Sequence, residues 1–185
     1  NREGSIIARS LMSEGISVVS AEALLLAASP EVNFVITVLQ YISDQQNLVA
    51  VAGIINELVR NGRLSTSLIR HFPVQKGLWP SLERVLAEGG FAFNINTLRG
   101  LPLYDLCEEI IRIFSLDEGY YNIYLQFFLD FAGKVSGRQG THLADLLEAW
   151  EEKKSKLSVV VPEGIDAIRI MTIHKSKGLE FPVVI

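Results

Sequence analysis

The sequence predicts an α/β chain whose strands lie at its two ends and whose middle is helical. Three observations carry this expectation. Apolar residues recur at spacings of three and four through most of 28–157, the period of helices with a buried face. Short runs rich in β-branched residues stand near the ends: Ile16-Ser17-Val18-Val19, then Ile168-Arg169-Ile170-Met171-Thr172-Ile173 and Pro182-Val183-Val184-Ile185. The last two are apolar at nearly every position, which suits strands covered on both faces, as in a parallel sheet. A chain that leaves a sheet at about residue 20 and rejoins it at about 158 has the plan of an insertion.

The elements follow in order. A helical pattern through Ile6, Ile7 and Leu11 covers about 3–14 and ends near Gly15, before the strand at 16–19. Ser29-Pro30-Glu31 is a helix start, with Ser as N-cap and Pro at the first helical position. The helix it opens runs through Val32, Val35, Ile36, Leu39 and Ile42 to a polar break at Asp44-Gln45-Gln46-Asn47. A second helix spans about 48–61 and stops at Asn61-Gly62, and Ser65 begins a shorter one. The stretch 73–100 is punctuated by Pro73, Gly77, Pro80, Gly89, Gly90 and Gly100, which leaves a helix at about 80–88 and loop elsewhere.

Helix resumes at 103–114 and at about 120–133, the latter carrying Tyr120, Tyr121, Tyr124, Phe127, Phe128 and Phe131. Aromatics at that spacing point to core rather than to base stacking. Residues 133–140 read as a polar, basic, mobile loop. The helix at 141–156 has the stripe Leu143, Leu146, Leu147 and Trp150, and its tail Glu151-Glu152-Lys153-Lys154-Ser155-Lys156 reads as a solvated helix end.

Composition narrows the function. Hydrophobic residues make up 49% of the 185, enough to bury a core. The net charge of −4 argues against a chain that coats nucleic acid by bulk electrostatics, so a DNA contact must be a local patch. A single Cys107 cannot form an internal disulfide, which indicates a reducing, cytoplasmic setting; its apolar neighbours mark it as structural. His71, His142 and His174 are far apart and no metal site is expected. No apolar run reaches the length of a membrane span, so no membrane partner is expected. The first residue, Asn1, and the uncapped apolar end at Ile185 suggest a chain cut at both ends.

The most informative stretch is His174-Lys175-Ser176-Lys177-Gly178-Leu179-Glu180-Phe181, between the two apolar runs. In open α/β sheets ligands bind beyond the carboxyl ends of the strands. Thr172, His174, Lys175, Lys177 and Glu180 are crowded where such a sheet does its chemistry. Read without its context, a short basic loop of this kind is a solvated surface turn. The wording across residues 170–184, however, closely resembles motif V of superfamily 1 DNA helicases of the UvrD/Rep/RecB type, nearest the RecB/AddA branch. Weaker likeness runs through 1–45 and Leu101-Pro102-Leu103-Tyr104-Asp105-Leu106, with little between.

The resemblance implies a mainly helical accessory (2B-like) domain inserted into part of a RecA-like P-loop NTPase domain. Residues 1–27 and 158–185 would be parts of the RecA-like domain and 28–157 the insert. It also implies an ATP-driven motor on single-stranded DNA, in repair or recombination. Thr172 and His174 occupy positions that contact the DNA backbone, with Lys175 and Lys177 adding charge. Glu180 occupies a position that reaches the nucleotide sugar, and Gly178 permits close backbone approach. ATP and Mg2+ are implied for the intact protein, with none expected on this chain. No Gly-x-x-x-x-Gly-Lys-Ser/Thr sequence occurs here, so no catalytic residue is assigned and the chain alone is expected to be inactive. For the parent, the resemblance further implies a nuclease domain and a partner subunit. The Gly-Ile-Gly hairpin that UvrD-type inserts use on duplex DNA is absent from the sequence. The alternative is a stand-alone helical interaction module without a motor, in which 168–185 is a terminal β-hairpin.

Overall fold

The computed structural model describes residues 7, 11, 18–20, 25–67, 82–117, 122–137, 142–159, 168–170 and 177. Within them the chain is mainly helical. Strand β1 (Val18–Ser20) precedes a 3-10 turn (Leu26–Ala28), α1 (Pro30–Ser43) and α2 (Leu48–Arg60). Then come α3 (Leu82–Glu88), α4 (Ile95–Arg99), α5 (Leu103–Ile113), α6 (Ile123–Ser136), α7 (Leu143–Lys153) and strand β2 (Ile168–Ile170).

Helix α1 is the axis of the helical body. Its start is set locally: the Ser29 hydroxyl accepts the Val32 N–H at 3.3 Å, and Pro30 supplies a pre-set φ. The stripe Val32, Val35, Ile36, Leu39 and Ile42 is buried as the periodicity requires, but Phe34, Val38 and Tyr41 on other faces are buried too. A helix apolar over most of its circumference is covered over most of it: α1 packs against α2, α4, α5, α6 and α7 and leaves Asn33 exposed and Thr37 and Gln40 half-buried on the remaining face. Each full burial on it stabilises by roughly 1.5–3 kcal/mol, counted as an upper bound.

Three helices end in the same hydrogen-bonded motif. After α2, the Gly62 N–H donates to Val59 O and the Arg63 N–H to Leu58 O, with Gly62 at φ +68°. After α3, Gly90 and Phe91 donate to Ala87 O and Leu86 O, with Gly90 at φ +86°. After α5, Ser115 and Leu116 donate to Arg112 O and Ile111 O, yet the left-handed position holds Ser115, at φ +43°. The Arg63 guanidinium donates to the carbonyls of Phe114 and Ser115 there, and Arg99 donates to Ile42 O at the end of α1, at 2.8 and 3.1 Å. Cations on carbonyl ends complement the helix dipole.

The aromatic residues build the core. Phe114, fully buried, lies 4.9 Å from Phe34, 5.2 Å from Phe91 and 6.0 Å from Phe93, centroid to centroid. Phe128 meets Trp150 edge-on at 5.8 Å, with Phe131 beside both. The α6 aromatics in the described range therefore serve packing, as their spacing suggests.

Three expectations are corrected. Residues 95–99 are helix rather than loop. Asn94 caps them through the Thr97 N–H at 3.1 Å, and the Glu83 carboxylate, from α3, accepts the Ile95 N–H at 2.8 Å. That second partner is twelve residues away, beyond any local pattern. The loop expected at 133–140 starts later, because α6 continues to Ser136. Val135 packs on the core, which outweighs the roughly 1 kcal/mol that a glycine such as Gly133 costs inside a helix. The helix expected at 141–156 ends at Lys153, with residues 154–156 a turn.

Strands β1 and β2 pair in parallel, Val18 with Ile168 and Ser20 with Ile170. Between them the chain enters and leaves the helical body side by side. The Leu26 N–H donates to Leu157 O at 2.9 Å, and Leu25 and Ser158 form an antiparallel bridge. This neck and the strand pair are what the sequence plan of departure and return requires. The terminal hairpin of the alternative reading would pair 168–173 with 182–185. The pairing described for β2 is with β1. The expected helix at 3–14 (beyond residues 7 and 11, both helical), the helix after Ser67, and the strand at 182–185 lie outside the described residues.

Candidate functional site

The register of the strand pair puts the carboxyl ends of β1 and β2 on one edge, the edge where α/β sheets bind ligands. The motif loop follows β2 directly. Lys177 is exposed and sits in a turn. Thr172, His174, Lys175, Gly178 and Glu180 lie outside the described residues.

Elsewhere the structure sorts the charged groups. Every arginine whose side chain is described is engaged within the chain. Arg60 pairs with Glu57 at 2.7 Å, Arg84 with Glu88 at 3.2 Å and Arg112 with Glu109 at 2.8 Å, while Arg63 and Arg99 hold carbonyls. The Arg112 guanidinium holds the Glu109 carboxyl below its ordinary range. A cleft of ≈ 720 Å³ between α5 and α6 is bordered by Asp105, Glu108, Glu109 and Asp117 against the single cation Arg112. Its excess of negative charge repels phosphates. Sequence reading does not single out this face, although Asp105, Glu108 and Glu109 at three- and four-residue spacing signal it.

Cys107 and His142 serve the helical body, and His71 lies outside the described residues. Cys107 is fully buried, and burial pushes its thiol up to about 12, the opposite of what a nucleophile needs. His142 begins α7, where the Asp145 carboxylate accepts its backbone N–H at 2.6 Å. Among the described residues no group of three or more His, Cys, Asp or Glu could hold a metal ion. No helix there is long and apolar enough to cross a membrane.

Comparison with known proteins gives the class first. Residues 103–185, from α5 through the motif loop, match the family profile of the UvrD-like helicase C-terminal domain. A particular relative follows: an ATP-dependent helicase/nuclease subunit of Carboxydothermus hydrogenoformans is 36% identical over 98 residues. That alignment takes in 46% of this chain and 8% of the relative, so the chain spans a small part of that protein's length. Both findings bear out the resemblance to UvrD/RecB-type helicases carried by residues 170–184.

Proposed function

We propose that this chain is part of an ATP-driven DNA translocase of the UvrD/RecB type that acts in repair or recombination. The match of residues 103–185 to the UvrD-like helicase C-terminal domain carries the reading, because it runs through the motif loop. In the proposal, 1–27 and 158–185 belong to a RecA-like P-loop NTPase domain and 28–157 is a 2B-like insert. The parallel pair β1–β2 supports this plan, since parallel neighbours require a crossover and here the helical body is the crossover. The single, buried Cys107 suits a cytoplasmic setting.

Thr172 and His174 grip the DNA backbone by hydroxyl and imidazole without reading bases, with Lys175 and Lys177 adding charge. Glu180 accepts hydrogen bonds from the nucleotide sugar, and Gly178 lets the backbone approach. One loop touching both ligands moves with domain closure and so couples nucleotide turnover to a step along the strand. The described residues do not fit ATP or Mg2+: they hold no cluster of metal ligands, and the cleft between α5 and α6 is acidic. The phosphate-binding and hydrolytic groups are therefore assigned to the rest of the intact protein, and no hydrolytic step is derived from this chain. The relative's name describes a helicase/nuclease. On that ground the intact protein is proposed to carry a nuclease domain and to work with a partner subunit.

The test is a split between variants of the intact protein. Glu180→Ala is expected to weaken nucleotide binding roughly tenfold to a hundredfold, the 1.5–3 kcal/mol of a hydrogen bond to a charged group. Thr172→Ala and His174→Ala should instead lower DNA-stimulated turnover while nucleotide affinity holds. If all three only lowered the melting temperature and spared DNA-dependent turnover, the loop would be structural and the proposal would fail.

A further inference from the structure

Among the described residues the free cations are few, and two of them stand at the neck. With the described arginines all engaged, the exposed lysines with no ion-pair partner among the described residues are Lys134, Lys153, Lys156 and Lys177. Lys153 and Lys156 bracket the turn that ends α7. The turn is held by three backbone hydrogen bonds: Lys154 N–H to Trp150 O at 2.7 Å, Lys156 N–H to Lys153 O at 2.8 Å, and Leu157 N–H to Lys153 O at 3.0 Å. Buried Trp150 and half-buried Leu157 anchor it on either side. Lys154 is taken by Glu151, and the carboxylates of Glu148 and Glu152 lie further back along the same exposed helix. The lysines thus occupy the helix end that adjoins the neck.

Position gives the turn its significance. Leu157 and Ser158 pair with Leu26 and Leu25. Five residues separate Leu25 from Ser20 at the carboxyl end of β1, at most about 18 Å of chain. Adding the strand spacing and the two residues from Ser158 to Lys156 bounds the separation from the β1–β2 edge at about 30 Å. At most about nine phosphates, at 3.4 Å each along a strand, therefore separate the turn from that edge. The cleft between α5 and α6 is acidic and repels phosphates, whereas the neck offers free ammonium groups.

We infer that the Lys153–Lys156 turn is a second phosphate-contact site that carries the DNA track of the motif loop onto the helical body. This rests on the proposed DNA-binding role of the loop. Ammonium groups on a rigid turn neutralise backbone phosphates without sequence preference.

The experiment measures binding of a labelled oligothymidylate to the intact protein by fluorescence anisotropy over a range of salt. Lys153→Ala/Lys156→Ala is expected to weaken binding and reduce the salt slope, d log K/d log[salt], by about 1.4, or ~0.7 for each lost single-strand phosphate contact. Lys153→Arg/Lys156→Arg should retain the slope, and Lys134→Ala, an exposed lysine in the last turn of α6, should not change it. Thermal melts of every variant check folding; these side chains are exposed, so little loss is expected. An unchanged slope in the double alanine variant, with Thr172→Ala/His174→Ala still lowering affinity, would overturn this inference and leave the loop's role standing. Equal loss with Lys134→Ala would reduce it to a general charge effect and overturn it too. No DNA binding by the unaltered protein would overturn both.

Discussion

Truncating Phe114 to alanine tests the packing scheme at its most connected point. The ring is fully buried and has three phenylalanine neighbours, at 4.9, 5.2 and 6.0 Å, contributed by α1 and by the segment between α3 and α4. Transfer of the ring to water accounts for roughly 1.5–3 kcal/mol. The cavity left behind adds a further term, because three rings on two segments cannot all move in to fill it. Together these place the loss at about 3–5 kcal/mol. For a chain of this length each kcal/mol lowers Tm by roughly 2–4 °C, so a fall of about 6–20 °C is expected. Phe91→Ala is the contrast, since it touches the same ring but is only half-buried. Its loss should be about 0.8–1.5 kcal/mol, half the burial figure. Urea unfolding followed by circular dichroism gives both values, and the m-value should stay constant if only stability changes. Equal losses for the two variants, or a loss under about 1 kcal/mol for Phe114→Ala, would refute the assignment of Phe114 as the hub.

Other outcomes are expected from single features. Ser115→Gly should stabilise by about 0.5–1 kcal/mol, because φ +43° strains any L-residue, whereas Gly62→Ala should destabilise by a similar amount. Nothing lies within 4 Å of a Cβ at Gly62, so that cost is purely conformational; matching signs in chemical denaturation would refute the account. Cys107 should resist a thiol reagent in the folded chain and react on unfolding, so prompt stoichiometric labelling would contradict its burial. Its folded value is raised above the unfolded one. The resulting stability is therefore intact below about pH 9 and declines as pH rises toward about 12, and Cys107→Ala should flatten that part of the profile. The isolated chain should show no ATPase activity above background, since its sequence holds no phosphate-binding loop. Turnover that copurifies with the chain and responds to DNA would sink that expectation.

Local chemistry explains why some of this was legible in the residues alone. Ser29-Pro30, Asn47 and Gly62 bound α1 and α2 within a turn of chain, so their limits can be read without knowing what they pack against. Cys107 and the α6 aromatics announce burial through their spacing. The candidate site was legible in another way, as a run of residues resembling a helicase motif; that likeness names Thr172, His174 and Glu180, while the structure describes Lys177 of the loop.

The amino-acid sequence by itself determined where most helices begin and end, that strand-forming runs stand at the two ends, and which loop holds the candidate contacts. Those features depend on caps, periods of three and four, and residue wording, all set within a few positions. Only the tertiary structure decided the rest. It made α4 a helix through a carboxylate from α3, and it carried α6 past Gly133 because Val135 found a core. It buried Phe34, Val38 and Tyr41 of α1 beside the expected stripe, engaged each described arginine, and set β1 beside β2 across the helical body. Each of these joins groups far apart in sequence. Their energies depend on which partner arrives in space, which no local pattern records.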